Sequence, residues 1–189
     1  NVICIEAGGK DSNFYIKIPA GFSKTVYNDK INWPYYTEET DNTANRKIRF
    51  PRGKVVGGSS SINGHLYVRG QANDYDGWAQ KGCLGWSWSD VLPYFMKAES
   101  RPEGNKHFRG NEGPLHISDL TSPHPLANLF IETAHSIGIK KNTDYNSGDQ
   151  EGSFLYQTMI KNSMRWSASD AYLRPILSKK NFKLSLIHI

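Results

Sequence analysis

The most specific pattern in the chain is rich in glycine and serine and reads Gly53-Lys54-Val55-Val56-Gly57-Gly58-Ser59-Ser60-Ser61-Ile62-Asn63-Gly64. Paired glycines let a backbone pass close to a bulky anionic ligand, and N–H groups and hydroxyls at a following helix start can donate to phosphates. A nucleotide-like ligand fits this chemistry, and so does the plainer interpretation of a serine-rich turn that leads into a helix. The spacing differs from that of a P-loop, which disfavours a simple nucleoside triphosphatase.

An apolar run at the start of the chain, residues 2–5, stops at Glu6 and the pair Gly8-Gly9. This pattern predicts a buried parallel strand that ends in a tight turn. Dinucleotide-binding units use an acid at such a strand end to accept hydrogen bonds from ribose hydroxyls, so Glu6 is a candidate ligand; the alternative is an ordinary strand-end acid. The glycine motif of such a unit lies about 20 residues before its acid, so we expect this chain to begin inside a longer protein.

Shorter patterns organise the rest of the chain. Residues 10–50 are polar and interrupted by prolines, which predicts mostly loop with short extended pieces. Ser87 and Asp90 predict the start of a helix near 89–99, which Pro93 should delay or shorten. The remaining predictions are a helix over 126–137, a short helix over 166–177 interrupted by Pro175, and a strand over 182–187.

Composition bounds the class of protein. The 189 residues suffice for one domain or part of one, and the net charge of +5 is scattered, so we predict no nucleic-acid partner. A stand-alone basic module for phosphate-rich partners is the non-enzymatic alternative. Cys4 and Cys83 lack metal-ligand spacing and are predicted to be free thiols, and no metal site is predicted. No apolar stretch approaches the roughly 20 residues of a membrane helix, so we predict no transmembrane segment in the sequence.

A family resemblance emerges from the glycine- and serine-rich stretch together with its flanks. Residues 52–64, continuing through Tyr67-Val68-Arg69-Gly70 to Asp74-Tyr75-Asp76-x-Trp78, resemble the first signature of glucose-methanol-choline (GMC) oxidoreductases. The resemblance to choline dehydrogenases covers nearly the whole chain, through Glu6-Ala7-Gly8-Gly9, Ile18-Pro19-Ala20-Gly21-Phe22, Asn32-Trp33, Gly85-Trp86-Ser87-Trp88, Leu92-Pro93-Tyr94-Phe95, Gly113-Pro114-Leu115, Asp149-Gln150-Glu151-Gly152, Arg165-Trp166-Ser167-Ala168 and Ala171-Tyr172-Leu173.

The resemblance implies an α/β fold: an incomplete, Rossmann-like FAD-binding domain over residues 1–183, with part of the substrate-binding region supplied after about residue 80. It places FAD against eight positions, which are Glu6, Val55, Gly57, Gly58, Asn63, Gly64, His65 and Leu66. Ile62 stands where some choline oxidases carry a histidine bonded to the flavin, so the resemblance implies non-covalent FAD.

The implied reaction is oxidation of the CH–OH group of a small alcohol, choline-like, with hydride transfer to the flavin. The histidine that takes the hydroxyl proton in the family lies outside the matched residues, so no catalytic residue is assigned. We interpret the six histidines as surface or packing residues and leave the role of the five tryptophans open; they are His65, His107, His116, His124, His135, His188, Trp33, Trp78, Trp86, Trp88 and Trp166. A lyase-like relative, in which flavin is structural, is the alternative.

Several expectations concern the protein as a whole. The electron acceptor is unidentified, the choice between oxidase and dehydrogenase is open, and the resemblance alone points to a mitochondrial or membrane-associated location. Residues 1–189 by themselves are expected to be inactive, poorly soluble and weak in FAD binding, because a broken parallel sheet exposes apolar surface.

The last six residues, 184–189, are predicted to be a non-native tail. They can be back-translated into a transposon-end adapter used in sequencing libraries, whereas relatives continue differently after residues 181–184.

Overall fold

The computed structural model describes residues 1–186. Residues 1–65, with the described residues from 160 onward, form one compact unit, and residues 66–159 form a second. Helices and strands are mixed in the chain, as the α/β expectation requires. None of the helices in this described range is long and apolar enough to cross a membrane.

The elements of the first unit are short. Its strands and helices are β1 (Val2–Glu6), α1 (Phe14–Lys17), α2 (Phe22–Thr25), β2 (Asn32–Trp33), β3 (Arg52–Gly53), β6 (Ile160–Lys161), β7 (Met164–Arg165) and β8 (Phe182–Leu186). Single turns of 3-10 or π helix complete it, at Pro19–Gly21, Asp41–Thr43, Gly58–Ser61, Ser169–Leu173 and Arg174–Ile176. The predicted helix over 166–177 is thus present as its last two turns, with Pro175 in the second of them.

Strand β1 forms as predicted and pairs in parallel with β8, from Val2 opposite Phe182 to Glu6 opposite Leu186. The prediction that β1 is buried is wrong, because Val2, Ile3 and Ile5 are 57–62% exposed. Among the described residues the sheet has only these two strands, so the apolar side chains of β1 are left uncovered. This confirms the expectation that the chain alone exposes apolar strand surface.

The predicted tail falls partly on β8. Residues 184–186 pair with the last three residues of β1, and residues 187–189, including His188, lie outside the described residues. Pairing through backbone groups is independent of side-chain identity, so the non-native tail stays a prediction.

The expectation of loop and extended pieces for residues 10–50 is wrong in part, because this segment contains α1 and α2. The Asn13 side chain accepts the N–H of Tyr15 at 2.9 Å and so caps α1. The buried side of α1 contributes Ile16 to a core cluster with Ile31, Val55 and Ile62. Val55 and Ile62 belong to the glycine- and serine-rich stretch, so this cluster anchors both ends of that stretch in the core.

The second unit holds the longer helices α3 (Ala72–Gln80), α4 (Trp88–Ala98) and α5 (Pro125–Ser136), with a short parallel pair β4 (Glu99–Ser100) and β5 (Leu115–His116). Helix α4 confirms the predicted helix near 89–99. The expected effect of Pro93 is wrong, because Ser87 and Asp90 form a reciprocal capping box that starts the helix well before the proline. Pro93 removes only one backbone hydrogen bond.

Helix α5 confirms the predicted helix over 126–137, and it begins with the side chain of His124 accepting the N–H of Leu126. Its apolar stripe is largely uncovered, since Leu126, Leu129 and Phe130 are 59–70% exposed. Only Ala134 of the helix is buried. Helical periodicity therefore identified the element, and the stripe adds to the exposed apolar surface of this chain.

The interior of the second unit is built around a buried carboxylate. Glu99 has no exposed surface, and its two carboxylate oxygens each accept from a buried guanidinium, that of Arg69 and that of Arg109. Glu99 also accepts the N–H of Gly110 at 3.2 Å, and Arg109 donates further to Asp144 at 3.1 Å. Two arginines thus share the fully buried Glu99, and Asp144 supplies the second negative charge, so the two positive charges are compensated inside the unit.

Candidate cofactor site

The candidate site starts where the turn after β1 meets the glycine- and serine-rich stretch. Gly9 pairs with Val55, and the N–H of Val56 donates to the Gly9 carbonyl at 3.0 Å. A Cβ on Gly8 would lie 1.9 Å from the carbonyl oxygen of Lys54, so only glycine allows this approach. The turn that follows Glu6 and the segment that contains Val55 are therefore neighbours in the fold.

Glu6 itself is half-buried, and one of its carboxylate oxygens accepts the N–H of Gly8 at 2.7 Å. This bond fixes the carboxylate at the strand end, where a ribose-binding acid is expected. Each carboxylate oxygen has more than one acceptor position, so the bond to Gly8 leaves capacity for a ligand hydroxyl.

The paired glycines serve two different purposes. Gly57 has φ +88°, and a Cβ there would lie 2.4 Å from the Ser61 hydroxyl oxygen, so the fold itself requires a glycine. Gly58 also has positive φ, +56°, but a Cβ on it would meet nothing within 4 Å. A Cβ on Gly64 would likewise meet nothing within 4 Å. Open space over Gly58 and Gly64 is what the approach of a bulky ligand to the backbone needs.

The serines of the stretch are oriented toward their own backbone. Ser61 donates its hydroxyl to the Val56 carbonyl at 2.7 Å, and Ser60 donates to the Gly57 carbonyl at 2.5 Å. Each of these two hydroxyls bonds a carbonyl three to five residues back, and the expectation that hydroxyls of the stretch donate to ligand phosphates stays a prediction. Their role is to hold the turn Gly58–Ser61 in shape.

Asn63 and His65 follow this turn and are tied together. The Asn63 side-chain oxygen accepts the N–H of His65 at 3.0 Å, and His65 is only 8% exposed, with φ +51°. Burial, together with the nearby charge of Arg165, lowers the pKa of His65 to about 4. The imidazole is therefore neutral at pH 7, which makes His65 a packing residue with an unprotonated ring.

Arg165 is the site residue to which the sequence alone assigned no role. Strands β6 and β7 form a hairpin around Asn162 and Ser163, both with positive φ, and this turn delivers the Arg165 side chain into the unit. The guanidinium is 2% exposed and donates to the carbonyls of Ile16 and Ser60 and to the side-chain oxygen of Asn63. The signal available in the sequence was the matched Arg165-Trp166-Ser167-Ala168 stretch.

These residues fit a phosphate-bearing planar cofactor. Open space over Gly58 and Gly64 would admit the cofactor to the backbone, Glu6 offers a hydroxyl acceptor, and the buried Val55 and Ile62 provide an apolar floor. Seven of the eight predicted positions lie in the first unit. Leu66, the eighth, is the first residue of the second unit, where it pairs with Thr158 and is 48% exposed.

The remaining candidate residues have local roles. Trp33 and Trp166 each carry a lysine over the ring, Lys54 at 4.5 Å and Lys161 at 4.4 Å, so the protein itself supplies cations to these two rings. Trp78, Trp86 and Trp88 belong to an aromatic cluster between α3 and α4, together with Tyr75 and Phe95. Within residues 1–186, no group of three or more His, Cys, Asp or Glu side chains is arranged to hold a metal.

Comparison with known proteins gives a consistent assignment. The sequence model described as GMC oxidoreductase matches residues 10–187. An oxygen-dependent choline dehydrogenase of Rhizobium etli is 44% identical over 181 residues, which are 96% of this chain and 33% of that protein. The corresponding enzyme of Rhizobium meliloti is 42% identical over 184 residues. The chain spans about a third of the length of these curated relatives.

Solved structures give the same result for the fold. The pyridoxine 4-oxidase from Mesorbium loti superposes with a TM-score of 0.93 at 32% identity, over 98% of this chain and 37% of that one. An FAD-dependent oxidoreductase from Chaetomium thermophilum gives 0.85 at 30% identity, over 97% of this chain and 33% of that one. A formate oxidase at 24% identity gives 0.84, which supports the fold alone. The expected α/β fold class is confirmed.

Proposed function

The chain belongs to the GMC oxidoreductase family, and from this premise we propose that it carries part of the FAD site of an oxidoreductase acting on the CH–OH group of a small, choline-like alcohol. The observation that carries the proposal is the docking of the turn after Glu6 against Val55 and Val56, beside glycines whose Cβ positions are empty. Proteins bind adenine dinucleotides with an acid at a strand end next to open glycine backbone.

Each residue has a defined task in this proposal. Glu6 accepts hydrogen bonds from ribose hydroxyls, and Gly58 and Gly64 let the cofactor approach the backbone. Gly57 shapes the turn, and Val55 supports it from below. Asn63, His65 and Leu66 are the remaining positions that we propose to contact FAD. Bound FAD supplies the acceptor for the hydride that leaves the alcohol carbon.

We propose that the FAD is held without a covalent bond. Ile62 is an aliphatic side chain, only 2% exposed, and belongs to the core cluster under the site. It has no nucleophilic atom with which to form a bond to the flavin. Precipitation with acid tests this, since non-covalent flavin is released into the supernatant and covalent flavin stays with the protein.

The primary test is the visible spectrum of the protein expressed from its complete coding sequence, recorded anaerobically before and after addition of choline. We expect flavin absorbance that bleaches with choline or another small alcohol. Flavin that no alcohol bleaches would favour the lyase-like alternative, and protein without flavin would overturn the cofactor assignment. Readmission of oxygen then separates an oxidase from a dehydrogenase that needs another acceptor.

Residues 1–189 expressed alone provide a second test. We expect low solubility and little flavin, because β1 and the stripe of α5 expose apolar side chains. A soluble yellow monomer with stoichiometric flavin would contradict this expectation.

A further inference from the structure

Arg165 is buried in an unusual electrostatic environment. Its guanidinium donates only to neutral oxygens: Ile16 O at 2.9 Å, Ser60 O at 3.1 Å and Asn63 Oδ1 at 2.9 Å. No carboxylate of the described residues lies within ion-pair distance, and the Nη2 group has no hydrogen-bond partner among them. Burial lowers the pKa of Arg165 to about 10, while Asp170 at longer range opposes that shift, so the group remains charged at neutral pH.

A buried cation without a paired anion costs stability, and an aliphatic side chain of similar volume would pack in the same place at less cost. The guanidinium does what an aliphatic side chain cannot do, because its planar fork joins three segments of the chain at once. These segments are the end of α1, the turn Gly58–Ser61, and Asn63. Two of the three belong to the candidate cofactor site.

Of these three partners, Asn63 links Arg165 to the backbone of His65. Its side-chain oxygen accepts from Arg165 and from the backbone N–H of His65 simultaneously. Arg165 therefore fixes the orientation of the Asn63 carboxamide, and through it the left-handed backbone at His65. Gly64, with open space around it, lies between the two residues.

We propose that Arg165 is a positioning residue for the cofactor: its guanidinium holds the carboxamide of Asn63 and so sets the backbone of residues 63–65 against the bound flavin nucleotide. This inference rests on the proposed function, since it takes the open space at Gly58 and Gly64 as the place of FAD. Arg165 acts through Asn63 and does not itself contact the cofactor.

The test compares Arg165→Lys with Arg174→Lys in the protein expressed from its complete coding sequence, with FAD titrated into apoprotein. Lysine keeps the charge and loses the fork, so we expect the FAD dissociation constant to rise about tenfold, as for the loss of one charge-assisted hydrogen bond. Arg174 is the matched control because it lies in the same unit and its guanidinium bonds Asp11 and Asp170. We expect that control to leave FAD affinity and the visible circular dichroism of bound flavin unchanged.

Coupling to Asn63 separates positioning from general stability. In an Asn63→Ala background, we expect Arg165→Lys to change FAD affinity less than twofold, because the group through which it acts is gone. Tenfold losses that simply multiply in the double variant, or an unchanged flavin spectrum in Arg165→Lys, would overturn the inference while leaving the proposed function intact. Wild-type apoprotein that binds no FAD would overturn both.

Discussion

The two units each bury arginine side chains, and they treat the charge in opposite ways. In the second unit Arg69 and Arg109 share the fully buried carboxylate of Glu99. In the first unit Arg165 has three neutral acceptors and no carboxylate partner among the described residues. The same side chain thus serves in a compensated cluster in one unit and in an uncompensated one in the other.

The paired arginines of the second unit and the unpaired Arg165 of the first unit have different consequences for folding and for cofactor binding. A compensated buried cluster is self-sufficient, because every charge has its counter-charge within the unit. An uncompensated cation is costly for the folded protein alone, and Arg165 is retained here in contact with Asn63 of the candidate cofactor site. We therefore expect substitutions in the second unit to act on unfolding, and substitutions near Arg165 to act on cofactor binding as well.

The largest effect should come from Glu99→Gln. This change keeps the shape of the side chain and leaves two buried guanidinium groups without their shared anion, so we expect a loss of about 3–5 kcal/mol in the free energy of unfolding. Urea denaturation followed by tryptophan fluorescence measures it. Glu132→Gln is the matched control, because Glu132 forms an exposed ion pair with Lys141 and should give no measurable change. Equal effects of the two substitutions would show that the Glu99 cluster is dispensable.

The second effect concerns pH and His65. Its pKa is about 6.5 in the unfolded chain and about 4 in the folded one, so only the unfolded state takes up a proton as pH falls between these values. The contribution of neutral His65 to the free energy of unfolding is fully present above pH 6.5. It is lost progressively as the pH falls to 4, by about 3 kcal/mol in total.

His65→Asn provides the comparison for that effect, since asparagine tolerates positive φ and does not titrate. Urea denaturation of both proteins at pH 7 and pH 4.5 gives the difference, from which carboxylates common to both proteins cancel. Parallel pH dependences of wild type and variant would contradict the buried, neutral state of His65.

Local patterns in the sequence were sufficient to predict the elements that depend on neighbouring residues. Helix α4 was predicted from Ser87 and Asp90, and α5 from its apolar spacing, because caps and helical periodicity depend on residues only a few positions apart. Burial could not be predicted from local patterns in the same way. Strand β1 is apolar in sequence and exposed in this structure, since burial depends on which other segments cover the strand.

The site shows the same division. Positive φ at Gly57 and Gly58 shows that both positions favour glycine, and the expectation that a cofactor approaches the backbone there stays a prediction. The acceptors of Arg165 at Ile16 and Ser60 lie 149 and 105 residues away in sequence and are backbone carbonyls, which every residue possesses. No spacing rule identifies such a contact, so the matched stretch could mark Arg165 in the sequence but only the fold shows which groups it bonds.

Gly57→Ala is expected to have the third largest effect. A Cβ at φ +88° is strained, and it would displace the Ser61 hydroxyl from its bond to the Val56 carbonyl. We expect a loss of about 2 kcal/mol in the free energy of unfolding, measured by urea denaturation of apoprotein. Unchanged stability would mean that the turn can relax around the new methyl group.

Gly58→Ala should have the smallest effect on folding and is the most informative about the site. Its φ of +56° costs about 1 kcal/mol for a residue with a Cβ, and the methyl group would enter open space without a clash. In the apoprotein, Gly58→Ala should therefore be milder than Gly57→Ala. If the open space is where FAD meets the backbone, FAD titration should show the reverse order, because only the methyl group at position 58 stands in the path of the ligand. Equal FAD affinity of wild type and Gly58→Ala would place the cofactor elsewhere, and the contrast between the two glycines would then be one of turn geometry alone.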